Sequence, residues 1–224
     1  MSQATVTITI NKTQQFPHGF NLLGLTPEVH KFVIHKAFIC YYSPFFSAAF
    51  NGKFEEGNTQ NMELDDVDPQ VFGILANWLY SQDVSDAEKK TPDLVACAEL
   101  WVLGDRFLMR KLQNDTIKQI YAILNSAHSR GVPIKFGEFC RIAADTKPED
   151  NPLFKIAVNM LSSNKKTFDK CADEIPYSIL LSVSKNLMLC RETVRWSQYK
   201  MPSEALWADE RGYLVKELTE NEVA

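Results

Sequence analysis

The sequence predicts an α+β chain: a small mixed sheet covered by helices, followed by an all-helical extension. Three observations carry that reading. Thr5 to Ile10 (TVTITI) alternates threonine with β-branched apolar residues, the period of a half-buried strand. Ser43-Pro44, Asp68-Pro69 and Thr91-Pro92 each set a capping residue before a proline. Proline suits the first helical position because its missing N–H would be unpaired there, and the residue before it caps the free donors. Beyond these starts, apolar residues recur at helical spacing through several further segments, with no second cluster of strands.

Taken in order, residues 11–28 carry two prolines, two glycines and several polar residues and read as a loop, either an insertion or one in which FNLLGL forms extra structure. Lys31 to Ile34 is the second strand and Ala37 to Tyr42 a short helix. Residues 44–50 place Phe46, Ala49 and Phe50 on one helical face. Asn51 to Asn61 reads as a polar, glycine-bearing loop, and Met62 and Leu64 alternate with Glu63 and Asp65 in a third strand. From Pro69 to Tyr80, residues Phe72, Leu75, Leu79 and Tyr80 share a stripe. Residues 81–90 are a charged loop. Asp93 to Phe107 buries Val95, Ala98, Val102 and either Trp101 or Leu103. A helix over about 109–124 buries Leu112, Ile117, Ile120 and Leu124.

Ser126 to Pro133 is a break. Helices are expected over Phe136 to Ala144, Leu153 to Leu161 and Pro176 to Cys190, the last burying Ile179, Val183 and Leu187 with Leu180 beside them. The tail, with Trp196, Tyr199, Trp207 and Tyr213, is expected to pack on something. The domains are therefore 1–124 and 125–224.

Composition bounds the function. The 224 residues are 45% hydrophobic and 23% charged, the balance of a globular protein. Phe54 to Glu88 holds nine Asp or Glu and no Lys or Arg, a patch that repels phosphates and argues against a nucleic-acid surface there. Arg106, Arg110, Lys111 and Lys118 read as a solvated helix face. No apolar stretch approaches the roughly 20 residues needed to cross a bilayer, and the N-terminus lacks a signal core; the expected location is intracellular, cytoplasmic or nuclear. The five cysteines show no CxxC pair and no zinc spacing, and read as small buried hydrophobes. Asn11-Lys12-Thr13 and Asn114-Asp115-Thr116 match the glycosylation pattern by chance.

Four pieces in order resemble the BTB/POZ family: His35-Lys36-Ala37, Ser43-Pro44-Phe45-Phe46, Leu64 through Phe72 (LDDVDPQVF), and Trp78-Leu79-Tyr80. The likeness covers Lys31 to Leu124, and its flavour is that of short fungal members. It implies a BTB/POZ fold and a protein–protein interaction module. Dimeric members often swap a segment before the first strand; only Met1 to Ala4 stand there, so self-association is expected without strand exchange.

Residues for catalysis are not found: no G-x-S-x-G, P-loop or G-x-G-x-x-G occurs. His18, His30, His35 and His128 are isolated, and His35 reads as structural, bonding to backbone. Paired carboxylates at Glu55-Glu56 and Asp65-Asp66 lie where nothing would raise a pKa. The reading is a non-enzyme without cofactor or metal.

The resemblance also points to a site. In family members that bind the third cullin class, a hydrophobic-x-Glu motif follows the helix opened by the Ser-Pro. Phe54-Glu55-Glu56 falls there, which implies an adaptor between a cullin-type ubiquitin ligase and a target. An aromatic flanked by charge is a common interface anchor. The competing structural reading is that Phe54 tucks back onto its own helix. The competing function is a non-ligase scaffold or a transcription-linked oligomerisation module; no zinc-finger spacing or long basic run is visible. No Kelch or MATH domain is present, so any target would be read by residues 125–224.

Overall fold

Among the described residues three strands form one sheet. In the computed structural model, which describes residues 4–12, 28–130, 134–148, 151–194 and 213–215, β1 (Thr5–Lys12) pairs antiparallel with β2 (Glu28–His35) and parallel with β3 (Asn61–Leu64). The sheet is therefore mixed. Ile8 stands opposite Phe32 on one side and Met62 on the other. The period of two has its expected effect: Val6, Ile8 and Ile10 are buried, and the threonines between them face outward. The second strand is longer than Lys31 to Ile34 at both ends. Most of the loop read over residues 11–28 lies outside the described residues.

Ten helices follow among the described residues: α1 (Lys36–Tyr42), α2 (Pro44–Asn51), α3 (Glu55–Thr59), α4 (Pro69–Ser81), α5 (Leu94–Arg106), α6 (Arg110–Arg130), α7 (Phe136–Asp145), α8 (Pro152–Ser163), α9 (Lys165–Cys171) and α10 (Tyr177–Val194). The chain divides into two compact units. The first is Met1–Pro92 with Leu103–Leu112, and the second is Asp93–Val102 with Gln113–Ala224.

Capping decides where the helices start. Ser43 Oγ accepts the Phe46 N–H at 3.1 Å and Asp68 Oδ1 accepts those of Gln70 and Val71, each before a proline at the first turn. Thr91 does not act this way. Asp93 Oδ1 accepts the Ala96 N–H at 2.8 Å and α5 begins at Leu94, so the cap lies two residues later. A fourth start of the same kind, Asn151-Pro152, opens α8: Asn151 Oδ1 accepts the Phe154 N–H at 2.9 Å.

In the first unit, aromatic rings make up much of the core. Phe32 meets Phe72 edge-on at 4.9 Å, and Phe46 lies between Phe50 and Phe107, 4.6 Å from the latter. Phe72, Leu75 and Leu79 are buried as the stripe requires, but Tyr80 is 48% exposed and Trp78 takes the core position instead. Tyr80 has a polar task. Its hydroxyl accepts the His35 backbone N–H at 3.0 Å and lies 2.9 Å from His35 Nδ1, so His35 is held by a side-chain hydroxyl rather than by backbone. The basic cluster also has local partners. Arg106 contacts both oxygens of Asp66 at 2.8 and 2.9 Å, Lys111 lies over the Trp78 ring at 5.2 Å, and in the second unit Lys118 pairs with Asp115.

In the second unit α5 buries Leu94, Cys97, Ala98, Leu100 and Trp101; Ala98 and Trp101 are as expected, whereas Val95 and Val102 are only half-buried. Helix α6 buries Ile117, Ile120 and Leu124 but runs on to Arg130, through most of the expected break. Helices α7, α8 and α10 match their sequence windows and lengthen them, and α9 with a 3-10 turn at Ala172–Glu174 fills the stretch between. On α10, Ile179 and Val183 are buried whereas Leu187 is 50% exposed and Leu180 is also exposed. Steps of four residues drift about 40° per step on a helix of 3.6 residues per turn, so the third member leaves the face. Trp196, Tyr199 and Trp207 lie outside the described residues. Cys97, Cys140 and Cys171 are buried free thiols, and burial pushes Cys97 up to about 12 and Cys140 also upward, which keeps both as unreactive thiols.

Two outcomes follow from this packing. Phe72→Ala removes a fully buried ring and lowers stability by about 3–5 kcal/mol, read as a fall in melting temperature of roughly 2–4 °C per kcal/mol. Ser43→Ala loses the α2 cap and also the bond that Ser43 Oγ donates to the Phe107 carbonyl at 2.6 Å, and costs about 1–3 kcal/mol in denaturant titration.

Candidate protein-interaction site

The segment between α2 and β3 is built from close backbone approaches. A side chain at Gly52 would meet the Ala48 carbonyl oxygen at 2.3 Å, and one at Gly57 would meet the Gly52 carbonyl oxygen at 2.3 Å. Only glycine allows α2 to end and the chain to fold back this tightly. The stretch read from sequence as a polar loop therefore contains α3, a single five-residue helix. Gln60 closes it. Its backbone is left-handed (φ 55°), and its side-chain amide donates to the carbonyls of Phe50, Glu56 and Gly57. Lys36 Nζ reaches the same Phe50 carbonyl at 2.8 Å. The orphan carbonyl of Phe50 at the end of α2 is thus answered by two side chains.

Phe54 occupies the N-cap position of α3, with extended backbone, and its carbonyl accepts the Gly57 N–H at 3.0 Å. The side chain is 63% exposed. One edge of the ring lies over Gly52, where an added Cβ would sit 3.2 Å from it. Glu55 and Glu56 fill the first turn of α3, where carboxylates favour the free N–H groups. Glu55 is exposed and Glu56 half-buried. The structure brings the three sequence-predicted residues together: one apolar ring on a short, hydrogen-bonded turn, with two carboxylates directly following it.

Arg106 beside Asp66 holds that carboxyl below the usual range, the opposite of what a general acid needs. Among the described residues no three His, Cys, Asp or Glu side chains cluster as metal ligands, and no helix is long and apolar enough to cross a membrane. The roles of Gln60 and Lys36 leave no mark in the sequence. A glutamine at the end of a short polar stretch carries no periodic signal; only its left-handed backbone reveals it.

Residues 25–121 match the family model for the BTB/POZ domain. Among curated proteins, the chain is similar to Kelch-like protein 40 of Xenopus tropicalis, 30% identical over 77 residues that make up 34% of this chain and 12% of that protein. It is also similar to TD and POZ domain-containing protein 4 of Mus musculus, 32% identical over 102 residues, 45% of this chain and 27% of that protein. The matched part is thus an eighth to a quarter of these relatives' own length.

Gly57→Ala forces a methyl group into the Gly52 carbonyl. The expected cost is about 1–3 kcal/mol, with α3 displaced, and amide hydrogen exchange over 51–60 should quicken in that variant.

Proposed function

Because residues 25–121 are a BTB/POZ domain, we propose that this protein–protein interaction module works as an adaptor. Phe54, with Glu55 and Glu56 at its rim, docks a cullin of a ubiquitin ligase, and the helical extension 125–224 reads the target. The domains on this reading divide at residue 124, and no catalytic step belongs to the chain itself. The observation that carries the proposal is the 63% exposure of Phe54 on a turn fixed by Gly52, Gly57 and Gln60. An aromatic that is already held in place loses little conformational freedom on binding, so most of its burial counts toward affinity. Glu55 and Glu56 contribute mainly encounter rate and orientation.

A second reading rests on a different surface. Phe38 is 40% and Tyr41 79% exposed on α1, next to the exposed ring of Tyr80, 5.1 Å from Phe38. Apolar area of this kind supports a non-ligase scaffold that self-associates.

The two separate on one variant. Phe54→Ala should weaken binding of the N-terminal region of a third-class cullin by at least about 2 kcal/mol, roughly thirtyfold, in calorimetric titration. Its melting temperature should move by no more than about 2 °C, as for other surface changes. A wild-type chain with no affinity for any cullin removes the ligase reading and leaves the scaffold.

A further inference from the structure

The second unit contains a cavity of about 520 Å³, lined by residues of α6, α7, α8 and α9. That volume falls among those of small-molecule sites, about 300–1,000 Å³. Phe136, Met160 and Cys171, all buried, give it an apolar lining.

Charge is set around this lining unevenly. Two carboxylates stand at it, and each has a cation of its own: Glu138 with Lys135 at 3.7 Å and Glu174 with Arg141 at 3.8 Å. Lys166 and Lys170, one turn apart on α9, also line the cavity and enter no ion pair among the described residues. Lys165, which does not line it, is the lysine of α9 that pairs with Asp169. The start of α7 adds to the positive side. Its first turn, Phe136 to Glu138, lines the cavity and has no side-chain cap, so the helix dipole there favours an anion. Glu174 answers part of that field, since it packs so close over the turn that a Cβ at Gly137 would lie 2.2 Å from its Oε2. Its charge is shared with Arg141, and nothing among the described residues answers Lys166 and Lys170 in the same way.

We propose that this cavity binds an amphipathic organic anion, its apolar body against Phe136 and Met160 and its anionic group between Lys166 and Lys170. A bare inorganic anion would leave the apolar lining in water. A neutral apolar molecule would take nothing from the two ammonium groups. A ligand with both parts gains from burial of the body and from charge-assisted hydrogen bonds at the head. Both lysines are exposed, so the charged part of the affinity weakens as salt rises.

The test titrates the full chain with three probes, octanoate, 1-octanol and acetate, and follows backbone amide shifts by NMR. Octanoate should bind with a single set of shifts centred on α7 and α9, at least about tenfold more tightly than either 1-octanol or acetate. Lys166→Gln combined with Lys170→Gln changes two exposed side chains. It should weaken octanoate at least about tenfold while leaving 1-octanol unchanged, which also reports that the cavity is still formed. A wild-type chain that does not bind octanoate overturns the proposal, as do shifts centred outside α7 and α9. Equal affinity for acetate would mean an ion site alone, and equal affinity for 1-octanol an apolar hole alone; either overturns it. So does a double variant that binds octanoate as the wild type does.

Discussion

The hydroxyl of Ser43 is the point on which the first unit turns. It is fully buried, and a buried hydroxyl needs partners to offset its lost hydration. It finds two: it accepts the Phe46 N–H and donates to the Phe107 carbonyl, 64 residues away in sequence. The first bond fixes where α2 starts. The second fixes α2 against the turn that follows α5. Around this polar pair the rings of Phe45, Phe46 and Phe107 close on each other, so the hydrogen bonds sit in a dry, low-dielectric setting where they are strongest. With its start pinned, α2 also has a fixed end, and the tight turn at Gly52 places Phe54 at one defined position.

That chain of constraints explains why an exposed aromatic can stand on this surface. The backbone of Phe54 is tied into the turn: its carbonyl joins α3, and Gln60 and Lys36 hold the Phe50 carbonyl at the end of α2. The acidic residues that follow suit the N-terminal turn of α3. Stability and presentation thus come from the same few contacts. In the second unit, the side-chain amide of Asn114 pairs with both the N–H and the carbonyl of Val215.

Features set by nearest neighbours were legible in the sequence. Ser43-Pro44 and Asp68-Pro69 open helices because cap and proline act within one turn, and the alternation of Thr5 to Ile10 sorts itself between two faces of a sheet. Where two local solutions compete, legibility fails. Thr91 and Asp93 are both good caps two residues apart, and only the fold selects Asp93. Helix α4 is apolar around much of its surface, so periodicity does not say whether Trp78 or Tyr80 faces inward. Helix α3 has no apolar face at all; it exists through backbone contact at glycines and the capping of Gln60. The positions of Phe54, Glu55 and Glu56 after α2 were readable, but the turn that orients them was not.

On the proposed reading, the turn after α2 is the surface through which this domain meets its partner. Amide hydrogen exchange of the whole chain, with and without a saturating third-class cullin N-terminal region, tests it directly. The account predicts slowed exchange confined largely to residues 51–60 and the end of α2. Slowed exchange centred on α1 instead, or an unchanged pattern at saturating cullin, would contradict it.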